Sequence, residues 1–194
     1  MSYAGNNLKA RGQDCIIVRD PIVTTKLSLK RSTRAPRNAG ERESYWEGLI
    51  LSSAGLKSGE IVTFRGEDYL TQTVDFDPAS CEDAVYLAKA NAILQHMREV
   101  EDVDENGNIT KDWHTINPDI PSFGSIVTYS LRQFDPGLLP GTRYIFQVPK
   151  NIGVVELDRV VYGEGPNNKY QVDSIDDIAL KGIVRIQVSV DTRP

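Results

Sequence analysis

Reactive side chains are scarce in this chain. Its 194 residues hold two cysteines, Cys15 and Cys81, and two histidines, His96 and His114. Two thiols far apart in sequence do not make a disulfide framework, and reduced, buried thiols are the expectation. No His-x-x-x-His or Cys-x-x-Cys spacing is present, so no clustered metal-ligand set is legible. Neither histidine has a nucleophile in a recognisable elbow, which leaves hydrolytic triads without a candidate. The Gly163-Glu164-Gly165-Pro166 stretch lacks the lysine and the strand–helix context of a phosphate loop. No apolar run approaches the ~20 residues of a membrane span. Leu49-Ile50-Leu51 is among the longest, and Met1–Ala10 has no apolar core of a secretory signal. These absences predict a non-enzymatic chain with no cofactor and no membrane partner.

Charge, by contrast, is present and segregated. Residues 1–42 hold nine Lys/Arg against three acids, about +6, which leaves about −11 for the other residues. Within that part, Thr24–Arg42 is poor in large apolar residues after Leu29 and rich in Arg, Ser and Thr. It reads as an extended basic arm, residues 24–42, on an N-terminal extension spanning 1–55. Lys26, Lys30, Arg31, Arg34 and Arg37 are its candidate partner- or DNA-facing residues. No aromatics interleave with them, so any nucleic-acid contact would be to phosphates, without sequence preference and with strong salt dependence.

From residue 56 to 194 the pattern is that of a β body. Glu60–Phe64 and Asp68–Val74 flank a tight turn and read as a hairpin. Short strands are expected at Ser125–Leu131, Arg143–Val148, Val154–Tyr162, Lys169–Ile175 and Gly182–Val190, separated by Gly/Pro clusters. In the last of these, Val184, Ile186, Val188 and Val190 alternate with polar residues, the period of a half-wet strand. The fold expected is mainly β, a small barrel or sandwich with at most one short helix. Residues 82–100 are ambiguous: local propensity favours helix, while Asn106-Gly107 downstream signals a hairpin that a long strand would serve. No internal repeat is legible.

Asp102, Asp104, Asn106 and Gly107 match the first half of an EF-hand loop, but Trp113 stands where the bidentate Glu belongs and Pro118 and Pro121 oppose a following helix. A polar hairpin tip is the simpler reading, with a calcium-binding interaction domain as the minor alternative.

Taken in order, several segments resemble the neck proteins of tailed bacteriophages, the head-completion or stopper group. These are Gly59–Leu70, Lys89–His96 leading into Asp104–Ile109, Leu157–Tyr162, Tyr170–Asp176 and Gly182–Asp191. The resemblance implies a small β-barrel subunit of a head–tail connector ring below the portal, closing the DNA channel and offering the tail its attachment surface. It implies a homo-oligomeric ring, portal or adaptor and tail proteins as neighbours, a place in the virion, and assembly in the host bacterial cytoplasm. Other virion modules (tail terminator, collar or decoration protein) share the expected β-rich, oligomeric character.

Overall fold

The structure is a computed structural model, and it describes residues 8–32, 44–76, 81–103, 107–165 and 168–193. The chain divides into two compact units, one of residues 1–91 and 177–183, the other of 92–176 and 184–194. The strands are β1 Gln13–Val18, β2 Val23–Arg31, β3 Tyr45–Leu51, β4 Ile61–Phe64, β5 Glu67–Asp75 and β6 Glu82–Lys89, then β7 Ala92–Val103, β8 Ile109–Ile126, β9 Tyr144–Pro149, β10 Arg159–Tyr162, β11 Lys169–Asp176 and β12 Ile183–Val190. They close two antiparallel barrels, in the order β1-β2-β3-β6-β5-β4 and β10-β11-β12-β9-β8-β7. The β-barrel expectation therefore stands. Closure leaves neither barrel with an open sheet edge around its wall.

Inward-facing side chains fill each barrel. Ile17, Leu27, Ile50, Val62 and Leu87 lie at the centre of the first core. Leu94, Phe146, Val160, Val172, Ile186 and Val188 lie at the centre of the second. Tyr144 meets both Tyr162 and Tyr170 edge-on, which fixes ring orientation there.

Numbered within its own barrel, each set of six strands has the same neighbour order, 1-2-3-6-5-4. The likeness reaches single residues. Val18 pairs with Ile61 as Met97 pairs with Arg159. Each connection from third to fourth strand begins with a 3-10 turn, Ser52–Ala54 or Lys150–Ile152, ended by a left-handed glycine, Gly55 or Gly153. The fifth strands carry the same bulge, between Thr71 and Thr73 and between Val172 and Ser174. The chain is thus a tandem duplication of one barrel. In the sequence its trace is Gly55-x4-Glu60-x-Val62-x-Phe64 against Gly153-x4-Asp158-x-Val160-x-Tyr162, and Tyr69-x5-Asp75 against Tyr170-x5-Asp176. These matches are too sparse to register without the strand alignment.

Several sequence expectations are corrected. The division at residue 55 does not hold, because β1, β2 and β3 are staves of the first barrel. The basic arm is not a loop along its whole length: Val23–Arg31 is a strand, with Leu27 buried and Ser28 and Lys30 outward. Basic residues spaced by small ones are here the wet face of a period-two pattern. The remainder of the arm, residues 33–43 with Arg34 and Arg37, lies outside the described residues. The stretch 82–100, left ambiguous between helix and strand, holds two strands joined at residues 90–91: β6 pairs with β3 and β5, and β7 with β8 and β10. The deciding pattern is Ala92, Leu94 and His96 all buried at every second position, which pairing on both sides rewards over local propensity. Finally, Tyr129–Phe134 is a short helix, α1, capped by the Thr128 side chain, where a strand was expected to continue. A further helical turn covers residues 8–11. Among the described residues no helix is long and apolar enough to cross a membrane.

Candidate interaction site

The duplication supplies an internal comparison: what one barrel has and its sibling lacks is not needed to close the fold. Both share one clamp. In the first barrel Arg19 bonds the Glu60 carboxylate at 3.0 Å and the Gly55 carbonyl at 3.1 Å, while the Lys57 amide donates to Glu60 at 2.7 Å. In the second, Arg98 bonds Asp158 and the Gly153 carbonyl at 2.8 and 2.9 Å, and the Val155 amide donates to Asp158 at 2.8 Å. These carboxylates hold a nine-residue connection against the barrel wall.

Beyond the clamp the siblings diverge. Where the first barrel buries Ile17, the second buries His96, and where the first buries Ile61, the second buries Arg159. Asn117 stands where the first barrel has Val23. The Asn117 amide nitrogen faces both the Ile152 carbonyl, at 3.1 Å, and His96 Nδ1, at 3.0 Å. That makes Nδ1 an acceptor and places the ring proton on Nε2, which donates to Asp158 Oδ2 at 2.7 Å. Both ring nitrogens are engaged and the ring is fully buried. In this arrangement the His96–Asp158 pair positions backbone and has no lone pair or proton directed outward.

Arg159 is the more unusual substitution, a guanidinium only 1% exposed. Its Nε donates to Asp191 Oδ2 at 2.7 Å, and its plane lies over the Trp113 ring, 3.7 Å from the centroid. Arg193 also bonds Asp191, at 2.8 Å, and sits 4.8 Å from the same ring. A buried charge of this kind is tolerated only when paired and hydrogen-bonded. Burial pushes the carboxyls of Asp158 and Asp191 upward. Arg98, His96 and the Val155 amide overcome this at Asp158, as Arg193 and Arg159 do at Asp191, and each is brought down to about 2.

Together these groups brace the root of one feature, the β7–β8 ribbon. β10 pairs with β7 only at Leu94–Met97, whereas β7 and β8 go on pairing with each other from Arg98↔His114 out to Val103↔Ile109. The first barrel has residues 19–22 at this place, between Val18 and Val23, where the second has 98–116. The ribbon is an elaboration, and Arg98 and Trp113 are its two anchored feet. Trp113 and Ile116 lie on β8, the returning strand of this ribbon.

The residues singled out from the sequence fall elsewhere. Lys26 is paired with Asp14 at 2.9 Å and Lys30 with Glu47 at 3.3 Å, both across neighbouring strands of the first barrel. Lys30 lines a shallow groove over β2, β3, β5 and β6 with Leu49, Thr73 and Tyr86. Arg31 ends β2 opposite Trp46, and Arg34 and Arg37 lie outside the described residues. His96, Arg159 and Asp191 were not found from sequence: His96 continues the buried alternation of Ala92 and Leu94 in β7, while Arg159, out of phase with the inward Val160, and Asp191, just past the end of β12, carry no local signal. Asp104 and Asn106 of the EF-hand-like stretch lie outside the described residues. No family model, curated protein or solved structure matches the chain.

Proposed function

We propose that this chain is a structural subunit of a tailed-phage neck that assembles as a ring below the portal, closes the DNA channel and carries the tail-attachment surface. One observation carries the reading: the second barrel holds an aromatic pair out into solvent on a rigidly fixed support. Tyr129 and Phe134 of α1 are 78% and 83% exposed, and the helix buries none of its side chains. Yet α1 is anchored. Arg132 donates to the carbonyls of Leu139, Pro140 and Thr142, and Asp135 pairs with Arg185 at 3.1 Å. Exposed aromatics on a polar-locked support suit an interface better than a core. The ordered resemblance to neck proteins and the β-barrel architecture both support this reading. The basic segment 24–42 then meets a neighbouring ring or the phosphates of packaged DNA.

The test is the native mass of the purified chain, alone and with a candidate portal protein, together with assembly by a Tyr129→Ser/Phe134→Ser variant. A ring, or a complex with the portal protein, is expected from the wild type. Particles assembled with the variant should be blocked at tail attachment. A strict monomer under both conditions, or tail-competent particles from the variant, overturns the reading. Labelling within particles separates a neck position from that of a tail terminator, collar or decoration protein.

A further inference from the structure

Past the shared bulge, the fifth and sixth strands of the two barrels keep the same register. Thr73 stands opposite Tyr86 and Asp75 opposite Ala84, as Ser174 stands opposite Gln187 and Asp176 opposite Arg185. In the second barrel an irregular stretch, residues 135–141 with Pro136 and Pro140, lies over these places. Gln187 holds it by the main chain, accepting from the Leu139 amide and donating to the Gly137 carbonyl, each at 3.0 Å. Arg185 holds its Asp135 at 3.1 Å, and a pocket of only about 260 Å³ remains beneath. In the first barrel the same four places border a groove of about 1090 Å³. Both anchors are replaced there: Tyr86 stands for Gln187 and Ala84 for Arg185. The Tyr86 ring stacks on Tyr45, centroids 5.5 Å apart and planes within 10°. Leu49, opposite Ala84 on β3, is 42% exposed. A wall that grips main chain in one barrel thus offers an aromatic and apolar floor in the other. Its charge is unbalanced, since Glu47 is taken by Lys30 at 3.3 Å while the exposed Asp75 has no cation in salt-bridge range among the described residues.

We propose that this groove binds an irregular, proline-bearing segment of a partner protein that sets a basic residue against Asp75. The stretch over the sibling wall shows the class of backbone this surface accommodates: non-helical chain punctuated by proline. With Gln187 and Arg185 replaced, the first barrel cannot hold such a segment by its main chain in the same way. It holds side chains instead. Proline suits the stacked tyrosines, because aromatic-lined grooves take proline-rich segments whose fixed φ lowers the ordering cost. A Lys or Arg beside Asp75 adds a charge-assisted contact, which at an exposed rim sets direction more than affinity. The site goes beyond the ring-subunit reading and does not depend on it.

Titration of the full chain with labelled synthetic peptides tests it. The probes are Pro-Leu-Pro-Pro-Leu-Pro-Arg, the same peptide ending in Glu, and an alanine peptide ending in Arg, each capped at both ends and read by fluorescence anisotropy. The first should bind saturably and best. Ala84→Arg/Tyr86→Gln, which copies the sibling wall, should weaken it about tenfold. Asp75→Asn should weaken it about threefold and erase the preference for Arg over Glu. Circular dichroism confirms the strand signal of each variant; should the double variant fail to fold, Ala84→Arg at its exposed position is read by the same criterion. No saturation by any probe at millimolar concentration overturns the proposal, as does equal binding of the alanine peptide or unchanged affinity in the sibling-copy variant. Native mass is read alongside. A wild-type oligomer that Ala84→Arg/Tyr86→Gln dissolves would assign the groove to a second copy and overturn the partner segment.

Discussion

Arg98 grips the Asp158 carboxylate with two prongs, Nε to Oδ1 and Nη2 to Oδ2, each at 2.8 Å. The carboxylate is only 2% exposed, so the pair is charge-assisted and largely dry on the acid side. Asp158 and Asp191 are each held near pH 2, against an unfolded value of about 3.9. A depressed carboxyl contributes stability above its unfolded value and loses it as pH falls through its folded one. Each should contribute about 2–3 kcal/mol at neutral pH, lost between about pH 4 and pH 2. Urea unfolding at pH 6, 4 and 2.5 checks this. Asp158→Asn and Asp191→Asn should be weaker at pH 6 and show a flatter acid limb.

The Arg159–Asp191 pair has an apolar counterpart within the same molecule. Ile61 occupies the place of Arg159, and Ala90, whose amide bonds the Asp68 carbonyl, occupies that of Asp191, whose amide bonds the Lys169 carbonyl. Arg159→Ile alone strands a buried carboxylate and should cost about 3–5 kcal/mol. Arg159→Ile/Asp191→Ala copies the sibling barrel and should recover most of that loss. Chemical denaturation of the three proteins decides it. Equal destabilisation by the single and double variants would show that Arg159 acts through Trp113 rather than Asp191.

Gly59 and Leu157 occupy the same place in the two barrels and both have positive φ, 87° and 71°. A Cβ at Gly59 would lie 1.8 Å from the Gly182 carbonyl oxygen, so Gly59→Ala should cost more than about 3 kcal/mol through a forced backbone shift. Leu157 is 62% exposed and loses little packing on substitution. Leu157→Gly removes a left-handed penalty of about 1–2 kcal/mol at an entropic cost of roughly 0.4–1 kcal/mol. A modest gain in thermal midpoint is expected, and a loss would show that the Leu157 side chain is held in place by contacts.

The two thiols should separate kinetically. Cys15 is buried and its thiol is pushed up to about 11, chiefly by burial, while Cys81 is exposed. Since the thiolate is the reactive form, one thiol should react with an aromatic disulfide reagent in the native state and two in urea. Two native-state equivalents at equal rates would mean that the first barrel opens readily around Cys15.

The β class was legible because Val184, Ile186 and Val188 alternate with polar neighbours, and a period of two is a local property of the chain. The β4–β5 hairpin was legible from the turn expected at Arg65-Gly66-Glu67, because a tight turn is also local; the structure shortens it to Arg65-Gly66. Barrel closure was not, since it depends on β1 meeting β4 across residues far apart in sequence. The strands of 82–103 were decided by neighbours on both sides, which local helix propensity cannot register. The duplication stayed hidden because side chains alternate by environment, and only paired backbones align Gly55 with Gly153 or Arg19 with Arg98. The basic segment was visible as composition, whereas the braced ribbon was not: composition is summed along the chain, while burial of His96 and Arg159 is a fact of three dimensions.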